Sequence, residues 1–503
     1  MLLLTPICAF LLGRPRPLPP ADLRFVLPFE NSTFDPAKAT TVSDGWLLAA
    51  LFEGLTRLDP ISLEPIPGVA RSFDLSEDGR TYSFHLSGES RWSDGAPVTA
   101  DDFLHAWSRV LAPETGCAFR NLLRDLEPNN ALSAPDPLTF VVRLRRPCSY
   151  FPSLAAHFCL LPVRRDLVEA HRDSWTRPDH LISNGPYRLA LHRIRDRVRL
   201  VRNEHYARAD QVALGVIDAL VVESPNTALN LYLTGAVDWV NGAPPAAVPE
   251  LRKRPDVRIN PVLATNFLRF NVTRPPLDDA RVRRAIGLAL DRQALCEYVY
   301  RSGEVPARAL VPPSLPGYAG PDLPEAGPEA ARRLLAEAGF PGGEGFPEME
   351  LLHAAQDSAR NVAQAIADGL RRRLSIRLRP VPQEFKVYIH STQNLKYQIS
   401  LGMWIGDYLD PSTFLDLFRS GSGGNRTGWS HSGYDQLLLA AAGSLSSSGR
   451  MALLKEAESL LLEQGPIAPI CHRGQVNLVS PRVVGFTTNL LDLHPLDQLR
   501  TRP

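Results

Sequence analysis

Residues 216–240 read VIDALVVESPNTALNLYLTGAVDWV. Six of the first seven are apolar and four are β-branched, as suits a buried strand. Ser224 and Pro225 then supply an N-cap and a first-turn proline, and Gly235 ends the helix they open over 225–234. A second strand, VDWV, follows at 237–240. Strand, helix and strand in so short a stretch is the texture of an α/β sheet, and α/β is the fold class read here.

The same texture recurs on both sides. Toward the C-terminus, the pattern predicts helices at 328–338 and 358–373 and strands at 349–353, 374–380 and 397–401. A last helix covers about 450–464. A strand at 266–271 runs into the turn TRPPLDD, after which Asp278 or Asp279 caps a helix reaching about Arg301. Toward the N-terminus, LRFVLP (23–28) is a strand and 44–55 a helix ended by Gly54. Tyr82, Phe84 and Leu86 alternate as in a half-buried strand, and 137–144 is another. Thr99 and Asp102 form a capping box for a helix that turns Phe103, Ala106, Trp107 and Val110 inward. Two α/β regions result, with a strand-and-helix insertion inside the first.

The chain has 503 residues, enough for two or three domains, with 44% hydrophobic and 22% charged residues. Its formal net charge is +1 and its basic residues are scattered, so no nucleic-acid footprint stands out. Six cysteines form no C-x-x-C pair and read as isolated buried thiols; the twelve histidines are dispersed. No metal site and no cofactor are expected. No G-x-S-x-G, Walker A, H-E-x-x-H or G-x-G-x-x-G occurs, which lowers the expectation of an enzyme. MLLLTPICAFLLG has signal-peptide length, but no Lys or Arg precedes it, and RPRPLPP is a better linker than cleavage region. Ile7 is too large for a lipoprotein site at Cys8. Residues 1–20 are read as an atypical export segment and linker; a misassigned start or a short buried strand are the alternatives. No later run reaches the ~18 apolar residues of a membrane span.

What remains is carboxylates framed by apolar residues at predicted strand ends, where α/β sheets bind ligands. The sharpest is Asp407 in WIGDYLDPSTFL (404–415), between Trp404, Ile405, Gly406 and Tyr408. A carboxylate in apolar company needs a cation or a local turn to cap.

These stretches, in order, resemble the peptide/nickel-type family 5 of extracellular solute-binding proteins of ABC transporters. The matching words are FDPA (34–37), LFEGL (51–55), PGVARSFDLSEDGRTYSFHL (67–86), RWSDGAPVTADDF (91–103), ISNGPYRL (182–189), FLRFNVTRPPLDDARVRRAIGLALDR (267–292), ARRLLAEAGF (331–340), WIGDYLDPSTFL and GYDQLLLAA (433–441). The resemblance is closest to oligopeptide- and dipeptide-binding members. It implies a periplasmic-binding-protein type II fold with two lobes and an extra domain. Lobe I would take 21–57, 182–268 and 479–503, the inserted domain 58–181, and lobe II 269–478. It further implies an exported, non-enzymatic receptor, periplasmic or on the outer face of the membrane. Such a receptor would be a monomer that closes on a short peptide and delivers it to permease subunits.

By the resemblance, Asp407 meets the ligand's α-ammonium, and Asp44 is a second acid whose other reading is a helix cap. Backbone groups of Asp44, Gly45 and Trp46 and of Gly402, Met403, Trp404 and Ile405 would pair strand-like with the peptide. Phe385 and Phe119 would be aromatic walls. The resembling binders carry Arg where this chain has Leu401 and Thr392, and Cys where it has Ile405. The cleft therefore reads as keeping its acid and losing positive charge. A receptor for a sugar oligomer, opine or metal chelate, or a hydrolase or scaffold uncoupled from transport, are the alternatives.

Overall fold

The computed structural model describes residues 18–502 except 32, 322, 324–326 and 445. Cys8 and most of the expected export segment lie outside the described residues.

The opening stretch folds as read. Its strands are Val216–Val221 and Trp239–Asn241, and its helix is Pro225–Leu233, where the Ser224 side chain accepts from Thr227 N. Both strands pair in parallel with Leu23–Leu27, one on each side, so the helix crosses over that strand. Four apolar residues of five suit Leu23–Leu27 because parallel strands are covered on both faces.

Ten strands, named in sequence order, form the main path of an eleven-stranded sheet, the two-residue strand Val305–Pro306 lying off that path. They are β1 (Leu23–Leu27), β2 (Tyr187–Arg193), β3 (Arg197–Arg202), β4 (Val216–Val221), β5 (Trp239–Asn241), β6 (Val257–Phe270), β7 (Met349–Ala354), β8 (Leu378–Gln383), β9 (Ile399–Ile405) and β10 (Ile467–Val479). Their spatial order is β8-β7-β9-β6-β10-β5-β1-β4-β3-β2. The antiparallel pair β6 and β10, 14 and 13 residues long, belongs to both halves. Val257–Pro261 of β6 pairs with β10 beside β5, and Thr265–Arg269 pairs with it beside β9, with register shifts between.

The β1 half packs with the insertion into one apolar core that includes Phe25, Trp92, Trp107 and Trp239. The β9 half carries a core on each face. Leu268, Ile286, Leu351 and Ile366 lie in one, and Phe267, Phe414, Tyr434 and Leu461 in the other. The insertion is a four-stranded antiparallel sheet of Ala70–Leu75, Thr81–Leu86, Leu132–Asp136 and Thr139–Arg143. Helix Ala100–Leu111 packs on it behind its capping box, with Phe103, Ala106, Trp107 and Val110 buried.

Several boundaries differ from expectation. The helix expected at 44–55 is Val42–Leu51, started by Thr41 and closed before Gly54, because Gly185 N donates to Leu51 O at 2.8 Å. The helix expected from 278 to 301 stops at Leu288, and Asp291 caps a new one by accepting from Ala294 N. The strand expected at 374–380 is Leu378–Gln383, since Leu374 is buried as the last turn of helix Asp357–Leu374 and Ser375 turns left-handed after it. The five described cysteines are buried free thiols as expected, yet not isolated: Cys159 Sγ lies 3.1 Å from His157 Nδ1, and Cys471 Sγ accepts from Asn266 Nδ2 at 3.3 Å.

Candidate functional site

Strand β9 pairs with β6 along its length, from Ile399 to Ile405. On its other side β7 pairs only with Ile399 and Ser400. Gly402–Ile405 therefore forms an open strand edge among the described residues. Gly402 is needed for packing, because a Cβ there would lie 2.6 Å from the Phe267 ring. Met403 and Ile405 alternate onto one exposed face. Trp404 points to the other face, half-buried, and its Nε1–H donates to Thr413 O at 2.7 Å.

That bond braces the loop that follows. Gly406 N donates to Leu263 O at 2.7 Å, and Asp407 N donates to the Thr413 hydroxyl at 2.9 Å. A Cβ at Gly406 would stand 2.5 Å from Leu263, so only glycine fits this approach. Asp407 is thus held by its backbone while its carboxylate extends half-buried past the end of β9.

Burial alone pushes the Asp407 carboxyl up to about 7. No neighbouring cation among the described residues offsets it. Arg124 is engaged by Asp416, and Arg450 by Asp410 through both oxygens. His157 is pushed down to about 3 by burial and is neutral. Asp407 also lies close enough to Cys159 to add to burial in raising that thiol. The opposing wall is therefore segment 157–159, where Phe119, His157 and Phe158 cluster, with Phe119 edge-on to Phe158 at 5.1 Å. Phe158 in turn covers Gly45, whose Cβ would meet it at 3.1 Å.

Other expected positions behave differently. Asp44 is fully buried and sits third in its helix; its carboxylate accepts from Thr40 N and Thr41 N while Thr41 Oγ1 accepts from Asp44 N. Asp44 thus completes the capping box of its helix. Residues 44–46 are helical, so their backbone has no strand edge to offer; Thr41, just before them, is extended. The Trp46 side chain is core: Nε1–H donates to Asp492 O at 3.1 Å and the ring packs 5.1 Å from Trp239. Phe385 begins helix Phe385–Gln393 and is exposed. His157, Phe158, Tyr150 and Cys159 had no sequence signal; only the fold brings them near 407. Among the described residues, no cluster of three His, Cys, Asp or Glu side chains is placed to hold a metal ion.

An open strand edge stands beside a desolvated carboxylate, between the parts of a sheet joined by two long strands, and the solved structures it matches give this arrangement the type II periplasmic-binding-protein fold. Comparison with known proteins agrees. Residues 64–426 match the "Bacterial extracellular solute-binding proteins, family 5 Middle" family, and the chain belongs to it. It is 30% identical to the "Oligopeptide-binding protein OppA" of Bacillus subtilis, over 88% of this chain and 85% of that one. Burkholderia pseudomallei OppA superposes with a TM-score of 0.87 at 31% identity, covering 96% of this chain and 99% of that one. The Escherichia coli murein tripeptide binding protein MppA, at 30% identity and covering 96% of this chain and 98% of its own, also gives 0.87. Its unliganded open form gives 0.77, covering 95% of this chain and 97% of that one.

Proposed function

We propose that this protein is the extracytoplasmic receptor of an ABC importer and captures short peptides by their free amino end. The observation that carries the reading is Asp407: among the described residues, a carboxylate with no cation, next to a strand edge with no partner. An α-ammonium supplies the charge, and the peptide backbone supplies the missing strand. This recognition reads main chain rather than side chains, so it accepts many sequences, with waters filling roomy pockets.

In this reading, lobe I comprises 21–57, 182–268 and 479–503, lobe II comprises 269–478, and residues 58–181 are the inserted domain whose segment 157–159 faces Asp407. The better match to the structures scoring 0.87 than to the open form supports a closed arrangement here. Ligand favours that arrangement because it binds it better than the open one. Delivery to a permease and a monomeric, exported state complete the reading. It is a binding role rather than a catalytic one.

The test is a thermal-shift comparison of free and N-acetylated pools of tri- to pentapeptides on the purified chain. A ligand that binds only the folded state raises its melting temperature. Free peptides stabilise the wild type, acetylated ones do not, and Asp407→Asn abolishes the difference. Silence toward both pools at millimolar concentration sinks the peptide reading.

A further inference from the structure

The backbone of β9 turns its hydrogen-bonding groups to alternate sides. Asn271 N donates to Gln398 O at 2.9 Å and Gly406 N donates to Leu263 O at 2.7 Å, so the even-numbered residues between them turn toward β6. Leu401, Met403 and Ile405 therefore turn their N–H and C=O groups to the other side. There β7 pairs with Ile399 and Ser400 and no further. Among the described residues, the groups left open on this edge are those of Met403 and Ile405.

Leu401 O shares that side but is not open. The Tyr388 hydroxyl donates to it. Tyr388 lies in the first turn of helix Phe385–Gln393, whose start is fixed by Glu384: that carboxylate accepts from Lys386 N at 2.9 Å and Val387 N at 3.2 Å. The Tyr388 ring is buried, packed in one cluster with Leu352 of β7 and Tyr397, and lies 6.4 Å from the exposed Phe385 ring. Where β7 leaves the edge of β9, a phenol takes its place.

A ligand strand that runs antiparallel to β9 meets it at every second residue. With its amino end opposite Ile405, two residues before Asp407, the third ligand residue faces Met403 and the fifth faces Leu401. The first and third find open backbone groups. The N–H of the fifth finds a carbonyl already hydrogen-bonded, with the phenol ring in its path. We propose that Tyr388 is a length stop in the binding edge: it closes the ladder at Leu401 O and confines main-chain recognition to the first three residues of a peptide. The inference rests on the peptide reading above and adds a length preference to it. Further residues lie outside the ladder and add little affinity. The ring fills its pocket by packing, and the hydroxyl takes up the one carbonyl that continues the ladder.

The experiment is calorimetric titration of wild type, Tyr388→Phe and Tyr388→Leu with oligoalanines of two to six residues. All carry a free amino end and a C-terminal amide, so no terminal carboxylate moves with length. Wild-type affinity is expected to rise from two residues to three and then to change less than about twofold up to six. In Tyr388→Phe the ring stays and Leu401 O is released. The five-residue peptide should then bind about three- to tenfold more tightly than the three-residue one, the worth of one ladder hydrogen bond. Affinity for three residues should stay within about twofold of wild type. Tyr388→Leu removes ring bulk as well and should show at least the same gain; a gain in this variant alone places the stop in the ring and upholds it. A purely structural role for Tyr388 weakens every length by one factor and leaves the profile level beyond three. That result overturns the stop, as does a wild-type profile that keeps rising through five residues. Binding that is lost on N-acetylation but shows an unchanged length profile in both variants sinks the stop and spares the peptide reading. Absence of binding at every length sinks both.

Discussion

Asp407 binds its proton far more tightly in the fold than in the unfolded chain, where its value returns to about 3.8. The folded state therefore holds more protons between those two values, and stability falls as pH rises from about 4 to about 7. The upper bound of that loss is about 4 kcal/mol. Ligand-free Asp407→Asn should melt above wild type at pH 8, and the gap should close at pH 4; thermal melts at both values check it. Binding an ammonium requires the ionised acid, so affinity for free peptides should drop about tenfold per pH unit below 7. Titration calorimetry across pH 5–8 reads that slope. The neighbouring Gly406 makes a steric prediction. Gly406→Ala drives a methyl into Leu263 and should cost roughly 1–3 kcal/mol in stability, with weaker peptide binding as the loop shifts. Asp407 was legible because a lone acid among apolar residues stands out in a linear string. Its wall was not: Phe119 and His157 lie some 250–290 positions away and carry no pattern that points to 407.

At the scale of elements, the decisive feature is that β7 stops pairing two residues into β9. A peptide laid along Gly402–Ile405 would donate and accept where β7 does not. Replacing one peptide N–H by N-methyl at a pairing position should weaken binding several-fold, while methylation at the next position should not, because strand hydrogen bonding alternates. A series of N-methylated tetrapeptides checks this. Helix Val42–Leu51 carries the opposite lesson. Asp44→Ala should cost about 1 kcal/mol through the lost capping box and leave discrimination against acetylated peptides intact. Loss of that discrimination would restore Asp44 as a ligand group. The helix start was misplaced because residues 42 and 43 carry no distinct signal, whereas the Thr41–Asp44 exchange becomes visible only in hydrogen bonds.

Across the whole molecule, contacts between the insertion and the 407–416 loop lock the two sides together. Tyr150 stacks on Tyr408 at 4.8 Å with rings 5° apart. Arg450 binds Asp410 and lies 5.4 Å from the Tyr150 ring centre, and Arg124 pairs with Asp416. Such stacking is worth ~1 kcal/mol, so Tyr150→Ala should weaken peptide binding about fivefold by favouring the open form. Small-angle scattering should show the variant more expanded than wild type without ligand and equally compact at saturation. A variant that stays expanded at saturation would show that the stack does more than bias closure.

The sequence by itself determined the α/β class, most helices and strands, the family resemblance and the one acid most in need of a cation. Those properties reside in contiguous residues: period, caps and short words that any local reading recovers. Only the tertiary structure decided that β9 keeps an open edge, that Asp44 caps a helix, that Cys159 and Cys471 meet polar partners and that Arg269 is buried with its Nε and Nη1 groups unpartnered. These depend on which segments, tens to hundreds of residues apart, exclude water from one another. Burial and partner choice shift a carboxylate or strand a guanidinium, and neither is written in the linear order of the chain.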